Sequence, residues 1–215
     1  MKPIVLIACL LSSALHGKDS LVTCRFLCFE TAKDATAELL AAGKDGKPEK
    51  IPLTLDTLSK PVVLKAENGE ISFQKEGPAA APVATARIPA TINDAIILFL
   101  PTTKDGLVHE TFVLDSSAKA FPKGSSVVLN ICRQKAKITI GEEEFEIKPN
   151  AFIRRSRPAK LDQFNMANVK ALLEIDQAWR TAFESPVRFL VDQRNLFVTY
   201  IDPASQRPRF WSFSE

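Results

Sequence analysis

Histidine is almost absent from this sequence, and its shortage narrows the chemistry open to the chain. There are two histidines, and only His109 lies beyond the N-terminal segment described below. Most nucleophile–base pairs and zinc hydrolase sites use histidine as a base or ligand. The sequence also lacks the Gly-x-Ser-x-Gly elbow of serine hydrolases and a glycine-rich phosphate loop. We therefore expect a protein that is not an enzyme and holds no cofactor or metal.

Two other features are missing: a strong net charge and a long apolar segment after the N-terminus. The formal charge is +3, and removing residues 1–17 leaves 27 basic and 25 acidic residues, or +2. Such a balance creates no long-range field for gathering nucleic acid. A membrane-spanning helix needs about 20 apolar residues, and no later run approaches that length. We expect a mature chain that binds no nucleic acid and has no transmembrane segment.

The N-terminus has the order of features of a secretory signal peptide. Lys2 supplies the positive start, residues 4–11 form an apolar run, and residues 12–14 are small. This order predicts a signal peptide over residues 1–17 and a secreted or periplasmic location. Residues 6–9 also have the form of a lipoprotein box ending at Cys9. We do not favour a lipid anchor there, because the apolar stretch before Cys9 is very short.

Short runs with an apolar residue at every second position dominate the rest of the chain. In residues 135–140, Ala136, Ile138 and Ile140 alternate with polar side chains. A period of two is typical of a half-buried strand. The Asn-Gly pair at 68–69 lies between two strand-like runs. It predicts a hairpin closed by a type I′ turn, because both turn positions need positive φ.

The spacing of these runs indicates the fold class. Many short strands separated by turn residues favour sandwiches or a small barrel. We predict a mainly β fold with two β-sandwich-like (immunoglobulin-like) halves, covering residues 18–118 and 119–215. Residues 167–184 are ambiguous, because they carry both a helical spacing of apolar residues and the pattern of a hairpin that turns at Asp176. We favour the hairpin, with one helix as the alternative.

Three cysteines follow the signal peptide: Cys24, Cys28 and Cys132. An exported location permits disulfides. Cys24 and Cys28 lie about 13 Å apart along one strand, at ~3.3 Å per residue, which is too far for a bridge. Two arrangements remain. We favour three buried thiols, and the alternative is one bridge to Cys132, with Cys28–Cys132 as the candidate pair.

Two groups of side chains are candidates for ligand binding. Trp211 and Phe213 share one face of a predicted strand, and an exposed aromatic pair of this kind stacks on sugar rings. Arg154 and Arg155 belong to a basic cluster that suits an acidic or phosphate-bearing polymer. For each group we favour the structural interpretation: a core aromatic pair and a solvated strand end.

Carboxylate chemistry is a further alternative, because many glycosidases use only aspartate and glutamate. Glu110, Asp115 and Asp202 are exploratory candidates, chosen without a spacing argument. His109 with Glu110 or Asp115 is a candidate general base. An ordinary hairpin residue is the interpretation we favour for it.

Several turn and strand motifs recur in order through the second half. They are Phe-Pro-Lys-Gly-Ser at 121–125, Val-Leu-Asn at 128–130, residues 138–141, Ile-Lys-Pro at 147–149, Trp-Arg at 179–180 and residues 194–198. In this order the chain resembles a loose group of uncharacterised exported bacterial proteins that have a signal peptide and β-rich domains. The resemblance implies export and β structure, and it implies no activity.

These observations favour one function and leave two alternatives. We expect an exported, non-catalytic binding or structural module of the cell envelope, whose partner is a protein or an envelope polysaccharide. The alternatives are a carbohydrate-binding module and a carboxylate-dependent hydrolase.

Overall fold

The computed structural model describes residues 19–28, 38–54, 57–77, 81–101, 109–202 and 205–215. Within these ranges every regular element is a strand, so the prediction of a mainly β fold is confirmed. The predicted signal peptide over residues 1–17, with Cys9, lies outside the described residues. The strands are β1 (Ser20–Cys28), β2 (Glu38–Ala42), β3 (Pro48–Pro52), β4 (Val62–Ala66), β5 (Glu70–Phe73), β6 (Ala84–Arg87), β7 (Asp94–Pro101), β8 (His109–Asp115), β9 (Ser126–Asn130), β10 (Ala136–Ile140), β11 (Glu143–Ile147), β12 (Ala151–Arg155), β13 (Met166–Ile175), β14 (Ala178–Arg188), β15 (Asn195–Ile201) and β16 (Pro208–Ser214).

The chain divides into two compact units. Unit 1 holds the described residues within 19–53, 59–93 and 97–113, and unit 2 holds those within 54–58, 94–96 and 114–215. In the described part of the chain, no helix is long and apolar enough to cross a membrane.

Unit 1 contains two small two-stranded sheets, β2–β3 and β5–β6, and most of a four-stranded sheet with the order β4-β1-β7-β8. Its core includes three phenylalanines that lie on different strands. The ring of Phe73 meets the rings of Phe26 and Phe99 edge to face, at centroid distances of 6.0 and 4.9 Å. Each of the three side chains is fully buried. Edge-to-face contacts add about 0.5–1.5 kcal/mol to the burial of such rings.

The predicted Asn-Gly turn is present, but the strands on its two sides do not form a hairpin ladder. Asn68 and Gly69 have φ values of 52° and 77°, as a type I′ turn requires. Glu67 and Glu70 exchange backbone hydrogen bonds of 2.9 Å across the turn. Beyond them the two strands belong to different sheets, in which β4 pairs with β1 and β5 pairs with β6. The local turn chemistry was sufficient to predict the turn, whereas the choice of partners is non-local.

Unit 2 contains two four-stranded sheets with the orders β11-β10-β13-β14 and β12-β9-β15-β16. Apolar residues of both sheets form one core, in which Val128 and Phe197 meet Ile138, Val169 and others. β9 and β15 run parallel, and every residue of β9 is buried. Burial on both sheet faces explains the unbroken apolar run at residues 127–129. The finer prediction of an immunoglobulin-like sandwich stays a prediction.

Residues 167–184 form a hairpin, and the alternative of a helix is wrong. β13 and β14 pair along their whole length, with a bulge beside Leu172. Asp176 and Gln177 form the turn with φ values of 51° and 62°. In β13, alternate residues are buried, whereas Trp179 is 36% exposed. The helical spacing was therefore coincidental. β14 then continues beyond this segment to Arg188.

The cysteines follow the arrangement we favoured. Cys24, Cys28 and Cys132 are all buried, and the candidate bridge between Cys28 and Cys132 is not formed. Burial raises the pKa of the Cys24 and Cys132 thiols to about 12 and that of Cys28 to about 11. The thiolate forms are therefore strongly disfavoured.

Candidate functional site

An open groove of about 510 Å³ lies in unit 1. We call it the β2–β5 groove. Its lining comes from β2, the start of β3, the end of β4, the Asn-Gly turn and the outer side of β5. The residues are Leu40, Ala41, Ala42, Gly46, Pro48, Lys65, Glu67, Asn68, Glu70, Ser72 and Gln74.

Strand alternation determines which side chains form the wall on the β5 side. Ile71 and Phe73 are buried in the core, so Glu70, Ser72 and Gln74 lie on the opposite face of the strand. Alternate residues of a strand are about 6.6–7 Å apart, which is also the repeat of an extended peptide. The wall thus offers a carboxylate, a hydroxyl and an amide at the spacing of an extended polymer.

The divergence of β4 and β5 makes room for the groove, and β2 closes its other side. Leu40 and Gln74 exchange backbone hydrogen bonds of 2.8 and 2.9 Å, which join β2 to the residue that follows β5. A second bridge joins Gly43 to Leu64 of β4. β2 is therefore attached to both diverging strands. These contacts rest on backbone geometry, and they fix the width of the groove.

An ion-pair network borders the groove at its β4 end. The Lys65 ammonium lies 3.1 Å from Asp19 Oδ2 and 3.0 Å from Glu67 Oε1. The Asn68 backbone N–H donates to Asp19 Oδ1 at 3.2 Å. The hydrogen bond from Lys65 lowers the pKa of Asp19, and the hydrogen bond to Glu67 raises the pKa of Lys65. Asp19 and Lys65 therefore stay charged at neutral pH, and with two carboxyl side chains for one ammonium this rim is acidic overall.

Trp211 and Phe213 lie together on β16 but are neither fully exposed nor fully buried. Their rings are parallel within 10°, with centroids 5.9 Å apart. Phe213 also borders a small closed cleft with Phe121 and Leu196. Phe210 points to the other face of β16, where it stacks on Phe183 and Phe197 in the core.

Arg154 and Arg155 do not act together, because they lie on opposite faces of β12. The Arg154 guanidinium is over the Phe152 ring at 4.9 Å, and that of Arg155 is over the Phe145 ring at 4.3 Å. Arg155 also lies 3.9 Å from Glu143. Each arginine is thus held against a local aromatic ring.

The sheet register separates the basic and aromatic candidates. Arg154 is opposite Val127, which is opposite Leu196, which is opposite Phe213. The two ends of this row are three strand spacings apart, or about 14 Å. Val127 and Leu196, between them, are buried. The structure therefore places Arg154 and Phe213 on one face but at opposite edges.

Glu110 and Asp115 lie five residues apart on β8, and Asp202 follows β15. Asp115 accepts a hydrogen bond from the Ser117 backbone N–H. Asp202 accepts one from the Ser205 hydroxyl and pairs with Arg209 at 3.7 Å. Glu110 is an exposed residue of β8. None of the three lines the β2–β5 groove.

His109 is a buried ring in the core of unit 1. It is 1% exposed, and its ring meets Phe99 edge to face at 5.6 Å. Neither ring nitrogen has a hydrogen-bond partner within the described residues. Among those residues, there is also no group of three His, Cys, Asp or Glu side chains that would hold a metal ion.

Sequence reasoning missed the β2–β5 groove. Its lining residues span positions 40–74 and belong to strands that pair with different partners. The Asn-Gly turn was the available signal, since it marked the point from which β4 and β5 diverge. Nothing in the local pattern indicated that they would separate.

Comparison with known proteins adds no family or relative. No family model matches this chain, and no curated protein is significantly similar to it in sequence.

Proposed function

We propose that the protein is an exported, non-catalytic binding module, and that the β2–β5 groove binds an extended peptide segment of an envelope partner. The observation that carries this proposal is the shape and lining of the groove. Three consecutive residues of β2 line one side, and polar side chains at every second position of β5 line the other. An extended peptide presents its groups with the same period.

The chemistry of the lining supports a peptide ligand. Ser72 and Gln74 supply a hydroxyl and an amide, which hydrogen-bond to peptide groups. Glu70 and the acidic rim favour segments that carry lysine or arginine. The described lining has no aromatic residue on which a sugar ring would stack. Export is the remaining part of the proposal, and it rests on the N-terminal sequence alone.

A variant whose groove is blocked by a large side chain tests this proposal. Random peptides displayed on phage are selected on the mature protein and then measured against two variants. Ser72→Trp places a large ring in the groove, and Thr139→Trp is the matched control on the outward face of β10. We expect selected peptides to lose at least about tenfold in affinity for Ser72→Trp, or 1.4 kcal/mol, and to bind the control like the natural protein.

Two results would count against the proposal. One is a selection that enriches no peptide. The other is a set of peptides that bind Ser72→Trp as tightly as the natural protein, since their site would then lie elsewhere. Circular dichroism of both variants checks that they are folded.

A second candidate function is carbohydrate binding, favoured by the parallel rings of Trp211 and Phe213. Parallel aromatic faces on a sheet suit the flat face of a sugar chain. The test is retention on bacterial sacculi and on amorphous cellulose. Binding that is lost in Trp211→Ala and kept in Trp179→Ala supports this function, whereas equal retention of both variants, or no retention of the natural protein, removes it.

A further inference from the structure

We propose that His109 makes the β2–β5 groove sensitive to acid, because protonation of its ring loosens β5 and lets a bound peptide leave. The ligand-release part of this inference rests on the proposed function. The loosening of β5 does not, and it is measured without any ligand.

The surroundings of His109 suit only the neutral ring. The side chain is 1% exposed and meets the Phe99 ring at 5.6 Å. Within the described residues, neither nitrogen has an acceptor or donor partner. A charged imidazolium would bring two N–H donors and a positive charge into this apolar place, and burying a charge without a partner is costly.

The charged groups near the ring do not offset that cost. Among the described charged residues, Lys75, which follows β5, acts electrostatically on His109. Its positive charge opposes protonation of the ring. On β8 itself, Glu110 is the next residue and is exposed on the other side of the strand. On β7, the residue that contacts the His109 ring is Phe99, which is uncharged. Two causes lower the pKa of His109 below its ordinary value of 6.5: burial is the larger, and the positive charge of Lys75 is the smaller.

Two routes connect His109 to the strand that forms one wall of the groove. The first is a chain of rings: His109 contacts Phe99, and Phe99 contacts Phe73 at 4.9 Å. Phe73 lies between Ser72 and Gln74, both of which line the groove. A displaced Phe73 would therefore move the groove wall.

The second route consists of backbone hydrogen bonds. The His109 N–H donates to the Val83 carbonyl at 3.2 Å, and the Val83 N–H donates to the Phe73 carbonyl at 2.8 Å. Val83 thus connects the start of β8 to the end of β5. If a protonated His109 leaves its buried position to reach water, both routes are broken together.

The direction of the pH dependence follows from linkage. The unfolded or opened state binds a proton near pH 6.5, whereas the closed state binds one only at lower pH. The closed state is thus fully favoured above the opened-state pKa of 6.5, and it loses stability as the pH falls below 6.5 toward the lower closed-state pKa. The opening equilibrium increases by up to about tenfold per pH unit in that window.

Hydrogen exchange followed by mass spectrometry tests the inference on the mature protein. Exchange of the amides of β5 and β6 is compared at neutral pH and at about pH 5, after correction for the intrinsic exchange rate. We expect faster exchange in acid for the natural protein. His109→Phe, which keeps an aromatic ring and removes the titration, should show little change.

Two further variants keep the test decisive if His109→Phe does not fold. Lys75→Gln removes the neighbouring positive charge, so its acid response should be smaller than that of the natural protein. Glu110→Gln removes a nearby exposed carboxylate and should keep the full response. The inference is overturned if β5 and β6 exchange equally at both pH values, or if His109→Phe responds to acid like the natural protein. Either result leaves the peptide selection described above unaffected, so the two proposals fail separately.

Discussion

At the scale of single residues, Asn130 shows how a buried polar group fixes the structure of unit 2. Its side-chain amide donates to the backbone carbonyls of Gln134 and Lys148 at 2.8 and 3.2 Å. Its carbonyl accepts from the Cys132 N–H at 3.1 Å and from the Thr199 hydroxyl at 3.0 Å. The residue is 0% exposed. Both polar atoms of the buried side chain are therefore hydrogen-bonded, and two of their partners, the Cys132 N–H and the Thr199 hydroxyl, are buried as well.

We predict that Asn130→Ala lowers the free energy of unfolding by about 3 kcal/mol, because it leaves the buried Cys132 N–H and Thr199 hydroxyl without this partner. Urea unfolding of the protein measures the change. Asn168→Ala is the matched control, since Asn168 is an exposed residue of β13, and it should stay within about 0.5 kcal/mol. Equal losses in the two variants would contradict this role for Asn130.

The buried thiols give a second prediction at this scale. Cys24, Cys28 and Cys132 should not react with a thiol reagent in the folded protein, because burial disfavours the thiolate that reacts. In denaturant without reductant, all three should react. A count of one thiol in that sample would mean that a disulfide forms, contrary to the structure.

At the scale of elements, the β13–β14 hairpin turns through two residues other than glycine in the left-handed region. Asp176 and Gln177 have φ values of 51° and 62°. This conformation costs about 1 kcal/mol for a residue with a Cβ atom and nearly nothing for glycine. The turn at 68–69 already carries glycine at its second position.

We predict that Gln177→Gly raises the free energy of unfolding by about 0.5–1 kcal/mol, because it removes strain at a type I′ position. The reverse change, Gly69→Ala, should lower it by a similar amount or more, since the added Cβ would also lie 3.3 Å from the Ile88 carbonyl oxygen. Thermal unfolding measures both variants. Destabilisation by Gln177→Gly would show that its side chain has a role beyond the turn.

At the scale of the whole molecule, local patterns predicted the elements but not their partners. The alternation of Ala136, Ile138 and Ile140 matches their burial, and each is at most 5% exposed. Because a period of two is local, the fold class was readable from the sequence. The pairing of strands, in contrast, depends on residues that are far apart in the sequence. The parallel match of β9 with β15 joins residues about 70 positions apart, as the Thr199–Asn130 hydrogen bond shows.

The candidate site was less predictable than the fold for the same reason. Trp211 and Phe213 were correctly placed on one strand face, since residues two apart always share a face. The opposite orientation of Arg154 and Arg155 follows from the same rule. The β2–β5 groove depends on three strands and on the divergence of two of them. No local signal contains that information.

Cross-linking in the source cells tests our proposal that the β2–β5 groove binds a peptide segment of an envelope partner. A photoreactive phenylalanine derivative replaces Gln74 in the full chain, and the same residue at Thr139 is the control. We expect an adduct from position 74 that disappears when Ser72→Trp is added, and none from position 139. Adducts of equal yield at both positions, or an adduct at 74 that persists with Ser72→Trp, would contradict it.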